Sequence, residues 1–205
     1  YPRRFDGSAG VGAALPRRSR LDQREQSNAA PPRCQHRGFR RTGGFMTLTD
    51  GKVSLRPFTE RHADRRYLGW FRNPAIRRFI THRPNTIAEA RAYVMARLVD
   101  PGCRFFSIYL KDRRVGTLKL ERSRPDPKVW WLGLMIGEKS AQGHGVGPRA
   151  IWLACCYVFD QLPAEEIMAG MARDNHDAVK AFIKAGFAYR DFPGRPADVL
   201  AWKRR

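Results

Sequence analysis

LGLMIGEKSAQGHGVG, residues 132–147, joins three local signals in one short run. The segment Val129 to Ile136 (VWWLGLMI) is almost continuously apolar and of strand length, which predicts a strand buried on both faces. Gly137 to Gly147 is a glycine-rich loop. Pro148 to Leu162 is a strongly apolar helix. A loop of this kind between a strand and a helix lets successive backbone N–H groups turn toward one point. The helix N-terminus adds partial positive charge, so the loop suits a phosphate or pyrophosphate. It is not a P-loop, because no Gly-Lys-Ser/Thr follows. It is also not a dinucleotide fingerprint, because its strand comes late in a largely antiparallel array.

Working outward from this loop, the rest reads as a mixed α/β chain. Lys52 to Pro57 alternates as a strand, and Thr59 to Phe71 has helical spacing. Asn73–Pro74 opens a helix through Ile80, and Thr86 to Glu89 is a capping box for a helix to about Val99. Arg104 to Leu110 and Val115 to Leu120 form a hairpin about the turn 111–114. Glu166 to Ala172 is a strand, Asn175 caps a helix ended by Gly186, and Ala197 to Trp202 is a last strand. The order of elements predicts a mixed α/β single domain, with a partly parallel pair of strands near its end.

Composition narrows the classes. The chain has 205 residues, 39 Lys+Arg against 19 Asp+Glu and a formal charge of +20. With 42% apolar residues it carries enough for a core. No apolar run is long enough to span a bilayer. Four cysteines do not make a disulfide scaffold, and no Cys/His spacing resembles a zinc site. Residues 1–45 hold ten Arg and no Lys and show no sustained period. The reading treats 1–45 as a disordered or non-native extension and 46–205 as the domain. The surplus charge suits an anionic partner, which keeps a nucleic-acid-binding protein open as an alternative. No RNP motif or zinc finger supports that alternative.

Two further stretches carry a resemblance. They are ARDNHDAVKAFIKAGF (172–187) and VSLRPFTERHADRRYLGWFRNP (53–74). Together with 132–147 they resemble the GNAT superfamily of acyl-CoA-dependent N-acetyltransferases. The flavour is that of the branch with the ribosomal-protein N-terminal and amino-sugar enzymes, and the resemblance implies a mostly antiparallel sheet of six or seven strands with a splayed parallel pair, flanked by about four helices. The resemblance implies transfer of an acetyl group from acetyl-CoA, as cosubstrate, to a primary amine by direct attack in a ternary complex. The amine would belong to a protein N-terminus, an amino sugar or a small molecule. It also implies that the backbone of Gln142, Gly143, His144, Gly145, Val146 and Gly147 holds the pyrophosphate. A backbone N–H near Met135 or Ile136 would polarise the thioester carbonyl, and Asn175 would bond the pantetheine arm.

Phe182 falls where many members carry a thiol-protonating Tyr, a role Phe cannot fill, so it is either core or a cofactor-binding wall of the groove. The predicted strand 129–136 holds no acid, so the general base is left between Glu138, Glu121 and a water relay. His62, His82 and His144 are also present. Arg77 and Arg83 flank the region where the family builds its acceptor pocket. They form either a solvated face or an anion-recognising one. The missing Tyr and the acid-free strand leave a catalytically inactive CoA-binding module as a further alternative. The remaining expectations are no metal, no membrane, a cytoplasmic location, and a homodimer in which the strand after Pro196 pairs across the interface.

Overall fold

The computed structural model describes residues 39–42, 45–192 and 198–203. Its centre is one twisted sheet. The strands in chain order are β1 (Phe39–Thr42), β2 (Phe45–Thr49), β3 (Val53–Pro57), β4 (Cys103–Leu110), β5 (Arg113–Arg122), β6 (Val129–Ile136), β7 (Glu166–Met171), β8 (Ala188–Tyr189) and β9 (Asp198–Lys203). The helices are α1 (Arg65–Trp70), α2 (Pro74–Arg77), α3 (Ile87–Leu98), α4 (Val146–Gln161) and α5 (His176–Ala185). The spatial order is β1-β2-β3-β4-β5-β6-β7-β9-β8, nine strands among the described residues. The mixed, mostly antiparallel architecture is the predicted one, but the sheet is wider. The two added strands at one edge are β1 and β2, and β1 falls inside the segment 1–45 that the composition set aside. The expectation for residues 1–38 lies outside the described residues.

One pair is parallel, and it is short. Val129, Trp130 and Trp131 of β6 pair with Glu166, Ile167 and Met168 of β7, and the register goes no further. Beyond Trp131, β6 stays with β5 as far as Ile136, while β7 stays with β9 as far as Met171. The two strands therefore part into a wedge. β9 lies between β7 and β8, so both its edges are paired within the chain. This corrects the expectation that the last strand pairs across a dimer.

The core has two layers. On one face, α4 and α5 pack with Leu55, Ile108, Leu118, Leu120, Leu132 and Ile167. On the other, α1 and α3 pack with Phe58, Tyr67, Phe71, Val94, Phe105 and Met135. The predicted helix over 59–71 is broken. A 3-10 turn at Glu60–His62 comes first, and Asp64 then accepts from the Tyr67 N–H (2.9 Å) to start α1 anew. Only Pro74–Arg77 of the second predicted helix is helical. β6 is not buried on both faces as predicted. Trp130 and Leu132 are buried, whereas Trp131 is half-buried and Gly133 is exposed. The reason is that the α1–α3 layer stops at β5 and Met135, and nothing in it covers Gly133.

Candidate active site

Alternation along β6 tells which backbone groups face the wedge. The Gly137 N–H donates to Val115 O on β5, at 2.9 Å. The Ile136 carbonyl accepts instead from the Gln142 side-chain amide, at 2.8 Å, on the opposite side. Met135, one residue back, again turns its carbonyl to β5, where a Cβ on Gly116 would sit 2.3 Å from it. By this period of two, Leu134 and Ile136 present their backbone to the wedge, and Met135 does not. Of the two amides singled out from the sequence, Ile136 is the one so placed. Leu134 is the one the sequence reading missed.

The loop after β6 closes the wide end of the wedge. Gly143 and Gly145 have φ of +75° and +74°, the left-handed region where a side chain is strained. A Cβ at either would meet nothing within 4 Å, so their outer surface is open. Gly145 is the N-cap of α4, whose first N–H groups have no partner inside the helix. Gly147 is buried, and a Cβ there would make ordinary contacts with Leu134 at 3.5 Å and Ala181 at 3.6 Å. Gln142 behaves differently from the rest. Its backbone N–H already donates to Lys139 O at 3.2 Å, and its side chain fastens the loop to β6. The loop that could serve as an anion cradle thus narrows to Gly143 to Gly147, with Gln142 as its anchor. His144 is exposed within it.

Across the wedge stands α5. Asn175 caps it, its Oδ1 accepting from the Ala178 N–H at 3.3 Å, which leaves the NH2 end of the amide outside the cap. Phe182 is 4% exposed and packs edge-on against Phe187, with centroids 5.0 Å apart. It is core, and it does not form the wall of a groove.

The two candidate carboxylates are separated by the fold. Glu138 lies beyond β6 under α1. Its Oε1 accepts from the Trp70 indole N–H (3.1 Å) and its Oε2 from Arg113 (2.7 Å), while Arg66 stands 3.8 Å away. Both oxygens are engaged. Glu121 lies on β5, opposite Trp131 of β6, on the face left open beside Gly133. It pairs with Lys119 at 2.8 Å and with Arg97 at 3.3 Å. Lys119 stands directly across from Gly133 and donates to the Tyr93 hydroxyl at 2.8 Å. Burial works against the Lys119 charge. Tyr93 and Glu121 outweigh it and hold the ammonium above the usual lysine range. Neither Lys119 nor Tyr93 was singled out from the sequence. The available signal was a lysine between Leu118 and Leu120 in a buried strand, where the period of two sends it to the opposite face.

His62 accepts at Nδ1 from the Thr59 N–H (3.1 Å) and contacts Ser107, two strands away from β6. Burial first, and then Arg114, lower its pKa. His82 stacks on Tyr93 (3.9 Å, 13°) and docks the loop that bears Arg83 beside the open face. Burial, then Arg97 and Lys119, keep its imidazole below the usual range. Arg77 ends α2 half-buried, and Arg83 is exposed and donates to Ile80 O at 2.7 Å. Cys103, opposite Glu121, is pushed up to about 12 by burial and then by that carboxylate, so it is no thiolate nucleophile. No group of His, Cys, Asp and Glu among the described residues could hold a metal ion. No described helix is long and apolar enough to cross a membrane.

A wedge between parallel strands, closed by a glycine cradle at a helix N-terminus, fits a long ligand with a pyrophosphate at one end. The family model for the acetyltransferase (GNAT) domain matches residues 52–188. The chain belongs to the GNAT acetyltransferase family. It is 24% identical over 157 residues to the human alpha/beta-tubulin-N-acetyltransferase 9, covering 68% of this chain and 74% of that protein. An N-acetyltransferase 9-like protein of Nematostella vectensis is 23% identical over 154 residues, covering 69% and 77%. Among solved structures, the aminoglycoside acetyltransferase AAC(6')-Ib with coenzyme A superposes with a TM-score of 0.65 at 20% identity, over 74% of this chain and 95% of that one. The ribosomal L7/L12 alpha-N-protein acetyltransferase RimL gives 0.65 at 16%, over 82% and 99%. This GNAT protein is an N-acetyltransferase with acetyl-CoA as its cosubstrate.

Proposed function

We propose that this enzyme acetylates the N-terminal α-amine of a peptide or protein, binding acetyl-CoA in the wedge and the amine over Gly133. Bound acetyl-CoA supplies the activated acetyl thioester. Gly143 to Gly147 would hold its pyrophosphate. The Leu134 and Ile136 amides, turned to the wedge, are the donors placed to bond the pantetheine arm and the thioester oxygen. Gly133 carries no side chain and leaves the approach over the strand clear.

The observation that carries the choice of amine is the state of Glu121. It is the carboxylate on the open face, and two cations already bind it. A site without an unpaired base favours an amine that arrives deprotonated. At pH 7.5 an α-amine of pKa ~7.8 is about one-third neutral, whereas a lysine amine of pKa ~10.4 is neutral only about one part in a thousand. The name of the ribosomal-protein neighbour, an alpha-N-protein acetyltransferase, supports this reading, and that of the tubulin relative supports a protein acceptor. AAC(6')-Ib supports an amino-sugar acceptor instead, but aminoglycosides are polycations and would meet Lys119 and Arg97.

The test offers the full chain acetyl-CoA with pairs of peptides. One member has a free N-terminus and no lysine, and the other has a blocked N-terminus and one lysine. Thiol release and peptide mass are followed. Acetylation of the free N-terminus is expected. Turnover of lysine or kanamycin alone refutes the assignment, as does the absence of turnover with every free N-terminus.

A further inference from the structure

The cluster beside Gly133 has more cation than its own anion can absorb. Lys119 and Arg97 share the single carboxylate of Glu121. His82, stacked on Tyr93 at the same place, is held toward its neutral form, and the Cys103 thiol stays protonated. Lys119, Arg97 and Glu121 together carry one net positive charge, while Glu89 and Asp100 act on His82 and Cys103 at the margin of the cluster. Lys119 has three donors, and Tyr93 and Glu121 take two of them. The Lys119 side chain is 21% exposed, so the charge is partly desolvated but within reach of a ligand.

We propose that the acceptor is a peptide with an acidic residue at its second or third position, and that Lys119, backed by Arg97, is the side chain that reads it. The inference rests on the N-terminal reading above. Gly133 and Lys119 are paired across one strand spacing, roughly 4.8 Å. An extended peptide advances about 3.4 Å per residue, so an amine over Gly133 places the next side chains within the span of the lysine. A carboxylate there gains a charge-assisted hydrogen bond, and a lysine or arginine there meets repulsion. Tyr93 fixes the ammonium, so Lys119 acts as a placed charge and not as a mobile surface lysine.

The experiment compares peptides that differ only at positions two and three, acidic against lysine, with the full-length enzyme. Acidic peptides should exceed lysine peptides at least tenfold in kcat/KM. Lys119→Gln should bring the two within about twofold, Lys119→Arg should keep the preference, and acetyl-CoA binding by calorimetry should be unchanged in both. Equal use of the two peptides by the parent overturns the inference, as does a preference that survives Lys119→Gln. Acetylation of both peptides alike leaves the N-terminal reading standing, whereas acetyl-CoA binding without turnover of any peptide overturns both. If Lys119→Gln does not fold, salt decides. The parent's preference should shrink as ionic strength rises from ~0.02 to ~0.3 M, and a preference constant across that range overturns the proposal.

Discussion

Gly145→Glu tests the cradle directly, because its two effects separate. Gly145 has φ +74°, and a Cβ there meets nothing within 4 Å. The cost to the free protein is therefore backbone strain alone, about 1–2 kcal/mol. The cost to the ligand is electrostatic. A carboxylate held roughly 5 Å from a pyrophosphate charge, at an effective dielectric between bulk water and a protein surface, repels by about 1–3 kcal/mol. Lost N–H contacts add to this. Acetyl-CoA affinity should fall at least thirtyfold, or ~2 kcal/mol. Calorimetry of the full chain reads the affinity, and thermal unfolding reads the fold. Gly145→Ala serves as control, with the same strain and no charge, and should lose far less. A folded Gly145→Glu protein that binds acetyl-CoA within threefold of the parent refutes the placement of the pyrophosphate.

Gly137→Ala would place a Cβ 2.0 Å from the Trp70 ring, so α1 must shift. Stability should drop by about 1–3 kcal/mol, read as a fall in Tm of several degrees. Phe182→Ala removes a core ring and should cost ~3–5 kcal/mol in denaturant unfolding; a cost under ~1 kcal/mol would contradict its burial. Asp64 caps α1 and pairs with the buried Arg114, at 2.5 Å. Burial alone would raise its pKa, but the Tyr67 N–H and Arg114 more than offset that and hold it below 3.8. A depressed carboxylate contributes stability that is full above its unfolded value and is lost as pH falls through the folded one. Asp64 is 45% exposed, so solvent screens the pair, and Asp64→Asn should cost about 1 kcal/mol near neutrality; the gap in Tm between parent and variant should close below the ordinary aspartate range. A gap constant down to strongly acidic pH would contradict the pairing.

Much of the frame was legible because local signals agreed. The bounds of β6, the glycine loop and the cap at Asn175 follow from periodicity and capping chemistry at single positions. What escaped depended on tertiary cover. β6 reads as buried on both faces, since Trp131, Gly133 and Met135 are all apolar, yet the α1–α3 layer ends short of Gly133. Glu138 and Glu121 look equivalent as loop and strand-end acids. Only the packing of Trp70 over Gly137 and the pairing of Lys119 with Tyr93 tell them apart. The break at Asp64 within the 59–71 pattern was overlooked because helical spacing continues through it, although an aspartate three residues before Tyr67 is an ordinary restart.

The insertion of β9 between β7 and β8 has a consequence for how the enzyme is made. One arm of the wedge proposed for the cosubstrate, β7, is paired on its far side with residues 198–203 alone among the described residues. A chain growing on a ribosome completes β3 to β6 and the glycine loop early, but that arm stays unbraced until β9 has emerged. The capacity to grip acetyl-CoA should therefore appear as a late, single event in synthesis, and not grow with chain length.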